Sequence, residues 1–385
     1  MGENKEMKKY IILSGLILQD TNRGTAALGY GSFSFLKEKG YLKEHHEFIR
    51  IQRVKKIWNY KDKVEVLNIQ GGQYTMNTLY ITELEYSVYM KTGISLPFTK
   101  FGKALRNIDF VACINGGDGF SDIYNTDTFF SRLGETRMAM KRDIPVIQLP
   151  QTLGPFKEEN NYRIAEKILK YSSKVFVRDD KFVPELKKMG IKYELTKDLS
   201  AFMQPEPWDI DIKPDSIGIN VSGLCYSNKF RTLSGQFEQY PELIDRLIRH
   251  FQSKGKTIYL IPHSYRYGNP EENNDDMVAC KLAYERLEDK TNVIFVDIDL
   301  ISPQVKYVIS KMSFFIGTRM HANFAAIYTD VPLFGLAYSY KFAGAFNANG
   351  LDGDKQTAMI NNIKKEEIDG IIQRIESFYQ ENIRK

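Results

Sequence analysis

The residues best suited to chemistry stand in one stretch, Phe315-Ile316-Gly317-Thr318-Arg319-Met320-His321-Ala322. The apolar run Phe314 to Ile316 reads as a buried strand that stops at Gly317. A helix carrying Ala322, Ala325 and Ala326 follows it, and Leu333 to Leu336 reads as the next strand. In open α/β sheets, ligands gather beyond the carboxyl ends of strands, where loops and helix N-termini meet them. A guanidinium fork there suits carboxylate or phosphate oxygens, and an imidazole can move a proton near neutral pH. Residues two apart point to opposite sides of a helix but share one side of an extended segment. Arg319 and His321 can therefore serve one ligand only where the chain is extended or just entering the helix. A surface cation beside a packed histidine is the plainer account of the same residues.

Other candidates also fall just past strands. Asp109 to Ile114 runs into Asn115-Gly116-Gly117-Asp118-Gly119, where Gly116 and Gly117 let backbone amides approach a ligand. Asp118 is a candidate for holding or deprotonating a sugar hydroxyl. No Gly-Lys-Ser/Thr follows, so the loop is not a Walker P-loop. Arg178 follows the strand Lys174 to Val177, with an Arg178–Asp179 pair capping the next helix as the alternative. His263 stands at the mouth of the strand Thr257 to Ile261. Asn22, in the loop Gln19 to Ala27, can bond a hydroxyl or phosphate, although for Asn22 taken alone capping the following helix is the better account. The acidic run Glu271 to Asp276 lacks a ligand set and reads as a solvated helix start, so no metal is expected.

The elements that must position these residues alternate strand and helix twice. The first series ends near Pro205-Glu206-Pro207-Trp208-Asp209, which is polar, carries two prolines and breaks the periodicity. Alternation restarts at Ser216. This predicts an α/β protein of two doubly wound parallel-sheet, Rossmann-like domains facing a cleft, residues 1–205 and 206–385. The last helix, Glu367 to Ile383, has an apolar stripe expected to pack across the junction. Tyr41 to Lys63, basic and aromatic, reads as a helix with one packed and one solvated face, contact with a membrane surface being the lesser reading.

Composition bounds the function. The 385 residues are 43% hydrophobic and 26% charged with net charge +5, which fits an anionic small substrate or an anionic membrane surface without demanding nucleic acid. Cys113, Cys225 and Cys280 have neither metal-ligand nor disulfide-framework spacing, so a reducing cytoplasm is expected. Lys5, Lys8 and Lys9 before Tyr10 to Leu18 resemble a signal peptide in outline, but the apolar run is short and no cleavage site follows; a first strand is expected. No transmembrane run is present.

Taken in order, Asn22-Arg23-Gly24, Gly116-Gly117, Gly154-Pro155, Arg178-Asp179, Pro262-His263-Ser264 and Gly317-Thr318-Arg319-Met320-His321-Ala322, continuing to Lys341, resemble the polysaccharide pyruvyl transferase family. The resemblance implies a fold similar to GT-B glycosyltransferases. It implies phosphoenolpyruvate as a co-substrate with no further cofactor, and a ketal formed on two hydroxyls of a glycan in surface or exopolysaccharide synthesis. On that basis Arg319 and Arg178 are expected to clamp the anion and His321 to transfer the proton. Asp118, where family members commonly have a third glycine, would orient or deprotonate the acceptor. His263, Asn22, Gly116, Gly117 and Lys341 would line the ligands. The acceptor is expected to be a free or lipid-linked glycan met in the cytoplasm, at the inner face of a membrane in the lipid-linked case. Two other readings stand beside this one. The first is a nucleotide-sugar glycosyltransferase of the same architecture, though no pair of glutamates eight apart occurs after Pro205. The second is a non-catalytic glycan-binding protein.

Overall fold

The computed structural model describes residues 8–382; Lys5 lies outside them. By contact density the chain forms two units. One holds the residues up to 17 together with 28–202, and the other holds 18–27 with the chain from 203 on.

The first unit is built on eight strands: β1 (Lys9–Ser14), β2 (His46–Val54), β3 (Lys63–Ile69), β4 (Gly72–Thr82), β5 (Ile108–Cys113), β6 (Val146–Gln151), β7 (Lys174–Val177) and β8 (Glu194–Leu195). Their order is β3-β4-β2-β1-β5-β6-β7-β8. β5 and β6 are buried almost throughout, as strands covered on both faces must be, and the two glutamines of β6 are satisfied inside, Gln151 Nε2 donating to Gln148 Oε1 at 3.2 Å. Every pairing is parallel except β3 with β4. That hairpin closes through Gln70 and Gly71, with φ of 50° and 75°, the left-handed pair that a two-residue turn needs. The sheet is therefore mixed.

Here the helix expected over Tyr41 to Lys63 is corrected. His46–Val54 is a strand in parallel register with both β1 and β4, followed by a short 3-10 turn at Ile57–Asn59 and the start of β3. Phe48, Ile49, Ile51 and Val54 fit either period, and β-branched content with two parallel ladders decides for the strand. The first strand is also shorter than Tyr10 to Leu18, because Gly15 turns the chain at φ 80°.

The second unit carries β9 (Ile217–Asn220), β10 (Ile258–Leu260), β11 (Val293–Phe295), β12 (Phe314–Gly317), β13 (Leu333–Ala337) and β14 (Thr357–Met359), all parallel. The order β11-β10-β9-β12-β13-β14 reverses direction between β9 and β12, where a doubly wound sheet opens a crevice at its carboxyl edge. Alternate residues feed opposite layers: Phe314 and Ile316 enter one core cluster and Phe315 the other. The final helix, Ile368–Asn382, packs Ile368, Ile371, Ile372, Ile375 and Tyr379 into the first of these clusters. The Tyr379 ring lies 5.3 Å from Phe251 and 5.2 Å from Phe314.

Candidate active site

At the switch point of the second sheet, one carboxylate ties three strand ends together. Asp276 is fully buried. It accepts from the Gly223 amide at 2.8 Å beyond β9, from the His263 and Ser264 amides at 3.1 and 2.9 Å beyond β10, and from Asn220 Nδ2 at 3.3 Å. From the end of β12, Arg319 donates to it through Nε at 3.0 Å and Nη2 at 2.6 Å. Asn220 completes the knot, donating to the Ile261 carbonyl at 2.9 Å and accepting from the Arg319 amide at 2.8 Å. Asp275, also buried, caps the following helix through the Met277 and Val278 amides. The solvated helix start expected for this acidic run is thus corrected: its last two acids are interior. Backbone N–H groups and a guanidinium repay their desolvation. Among the described residues no cluster of metal-ligating side chains occurs.

Arg319 itself is extended, at φ −89° and ψ 135°, and the helix begins at Met320, placing His321 in its first turn. That is the geometry in which Arg319 and His321 can face one ligand. Burial works against the Arg319 charge, but Asp276 more than offsets it and holds the guanidinium ionised. Nη2 also donates to the Asn274 carbonyl and side-chain oxygens at 3.0 and 2.9 Å. Most of the fork is therefore spent inside the protein. Nη1 lies outside these bonds, and Tyr338 lies beside the guanidinium.

Two histidines share this edge. His263 is 5% exposed, and its pKa is pushed well below the usual histidine value by burial first, then by His321, Arg319 and Arg23. It is a neutral imidazole at neutral pH. His321 packs edge-on to Phe324 with ring centres 5.5 Å apart. Its other wall is Gly24, where a Cβ would fall 2.6 Å from the His321 ring. The helix Arg23–Glu38 begins here. Asn22 Oδ1 accepts from the Gly24 amide at 2.9 Å, so Asn22 serves as the cap weighed from sequence. The segment is fastened to the second unit by an isolated bridge between Asn22 and Ser264. Arg23 Nε reaches the Leu300 carbonyl at 2.7 Å and Nη2 reaches Asp299 at 2.8 Å, and the guanidinium lies 4.1 Å from the centre of the Tyr265 ring.

The first unit has its own loop at the carboxyl edge of β5. Gly116 and Gly117 have φ of 65° and 87°, the left-handed region glycine reaches without strain. A Cβ on Gly117 would fall 3.0 Å from Arg178 Nη1, so the guanidinium lies directly on this turn. Arg178 donates to Thr152 Oγ1 at 3.0 Å and to the buried Asp198 at 2.6 Å. Its partner is Asp198 and not its neighbour Asp179, which bonds Thr152. Asp118 is half-buried and accepts from the Tyr124 hydroxyl at 2.9 Å. Burial and that carboxylate push the Tyr124 pKa up to about 12.

The structure thus groups Asn22, His263, Arg319 and His321 in one unit and Gly116, Gly117, Asp118 and Arg178 in the other. Lys341 stands exposed at the start of the helix Lys341–Ala348. Sequence reasoning missed Asp276, Asn220 and Asp198. The only local signal was an acid directly after a helix cap, which does not reveal burial.

Residues 22–340 match the family described as polysaccharide pyruvyl transferase. The chain belongs to this family. The match opens at Asn22, the residue that caps the helix against which His321 packs, and runs past Tyr338 beside Arg319. Lys341 falls one residue beyond it. No curated protein matches the sequence significantly. Among solved structures, this pyruvyl transferase family member is similar to the UDP-GlcNAc 2-epimerase of Methanocaldococcus jannaschii, with 13% identity, a TM-score of 0.56, and 98% of this chain and 93% of that one covered. It is also similar to the Neisseria meningitidis UDP-GlcNAc 2-epimerase bound to UDP-GlcNAc, with 14% identity, a TM-score of 0.52, and 98% and 95% covered. At such identity the likeness establishes the fold, which is of the GT-B type.

Proposed function

We propose that this protein transfers a pyruvyl group from phosphoenolpyruvate to two hydroxyls of one glycan sugar, forming a ketal. The observation that carries the proposal is the convergence of Arg319, His321 and His263 at the switch point of the second sheet, in a chain of the pyruvyl transferase family. In the proposed reaction a proton adds to the methylene carbon of phosphoenolpyruvate and positive charge builds at C2. One sugar hydroxyl attacks C2, the C2–O bond to phosphate breaks, and the second hydroxyl closes the ring. Of the two hydroxyl protons lost, one balances the proton now in the methyl group and the other leaves with phosphate.

His321 is assigned the proton donated to carbon. His263, neutral in its buried setting, can donate or accept a hydrogen bond without adding charge. Arg319 and Arg178 are assigned to the anion, each through the guanidinium edge not held by Asp276 or Asp198. Asp118 is assigned to the acceptor hydroxyl, and Lys341 to a ligand oxygen. No cofactor is required by this scheme. A lipid-linked acceptor would bring the enzyme to the cytoplasmic face of a membrane.

The competing donor is a nucleotide sugar, which the fold would also accommodate. Thermal shift separates the two: at about 100 times its dissociation constant, a ligand specific for the folded state stabilises by about 2.7 kcal/mol. Phosphoenolpyruvate is expected to raise the melting temperature and UDP-sugars to leave it unchanged. The reverse pattern would overturn the donor assignment.

A further inference from the structure

Two properties of the chain are concentrated in one stretch of the first unit. Of the nineteen large hydrophobic side chains that are exposed among the described residues, ten lie within residues 57–98. Residues 53–106 carry nine Lys or Arg against four Asp or Glu. That net +5 equals the charge of the entire chain, so the remainder is balanced.

The most exposed of these ten side chains stands in the turn between β2 and the edge strand β3. Trp58 is 76% exposed, and Lys56 Nζ lies 5.7 Å from the centre of its ring. The turn is anchored: Tyr60 stacks on Tyr80 with centres 4.9 Å apart, and Asp62 accepts from the Tyr80 amide at 3.2 Å. Lys100 pairs with Asp62 at 2.5 Å, which cancels that acid and brings the loop bearing Phe98, 71% exposed, beside the turn. Among the described residues Lys55, Lys56, Lys61 and Lys63 form no ion pair.

We propose that this turn docks the protein peripherally on an anionic lipid surface. Ring systems with an apolar body and a polar edge, flanked by lysines, suit the headgroup boundary, where apolar burial and attraction to anionic lipid add. A protein partner fits less well, because lysine is depleted from the cores of protein–protein interfaces. The inference rests on the patch alone and stands whichever donor the enzyme uses.

Trp58 and Trp208 are the only two tryptophans, so Trp208→Phe leaves Trp58 as the sole indole reporter. This protein is mixed with vesicles of phosphatidylcholine alone or with added phosphatidylglycerol, and both sedimentation and emission are read. Binding to the anionic vesicles with a blue shift of Trp58 is expected, with little binding to neutral ones. Loss of binding is expected in about 0.5 M salt, where screening is short-ranged. The exposed pair Lys55→Gln and Lys56→Gln should keep the wild-type melting temperature and lower partitioning about 30-fold, roughly fivefold for each surface charge removed. Failure to bind anionic vesicles, or binding without change at Trp58, would overturn the proposal. So would self-association without lipid that Trp58→Ser abolishes, which would assign the patch to a second copy of the chain.

Discussion

His321 sits where a single side chain separates binding from chemistry. It stands in the first turn of a helix, one wall formed by the Phe324 ring and the other by Gly24, whose missing side chain makes room for the imidazole. In the proposed reaction it carries a proton and not the donor's charge, so His321→Gln should leave phosphoenolpyruvate affinity within several-fold of wild type. Turnover should fall by ~10²–10⁴, the usual loss for general acid–base catalysis. Calorimetry and phosphate release on the same preparation check this, with melting temperature as a control for packing. Turnover close to wild type at saturating donor would remove the catalytic role. Arg319 and His321 were legible from sequence because an arginine and a histidine two apart follow a strand-ending glycine. The state of Arg319 was not, because its acceptor lies 43 residues earlier in the chain. A fork read as open to ligand is largely occupied by Asp276 and Asn274.

Among the elements, Asp276 has consequences beyond its own neighbours, since its two oxygens collect amides and side chains from the ends of β9, β10 and β12. Removing one partner of a buried ion pair leaves the other charge uncompensated, at about 3–5 kcal/mol. Asp276→Asn keeps the shape and removes the charge, so a fall in melting temperature of roughly 10 °C is expected. A thermal melt within about 2 °C of wild type would show that the carboxylate does not hold these strand ends. Five strands of the second sheet, β9 to β13, could be read from short apolar runs bounded by turns, because strands buried on both faces carry that pattern locally, whereas the three-residue β14 carries no such run. β2 could not, because Phe48, Ile49, Ile51 and Val54 satisfy helical and extended periods alike. β4 also escaped the sequence reading: its turn residues, Gln70 and Gly71, lack the Asn-Gly or Asp-Gly signature of a tight hairpin. The attachment of residues 18–27 to the second unit rests on Arg23 with Leu300 and Asp299, and on Asn22 with Ser264. Those partners are more than two hundred residues away, beyond any local signal.

For the whole molecule, the family match over residues 22–340 sets the class of chemistry, glycan modification by transfer, and the two α/β units supply the fold that carries it. The identity of the donor is decided by product analysis. The enzyme is incubated with phosphoenolpyruvate labelled with ¹³C at C2 and a panel of free and lipid-linked glycans, and phosphate and the glycan product are followed together. Phosphate is expected to be released one for one with a glycan-bound label, whose carbon has become a quaternary ketal bearing a methyl group and bonded to two sugar oxygens. Glycan modified only when a nucleotide sugar is supplied, with the labelled phosphoenolpyruvate recovered intact, would contradict the donor assignment.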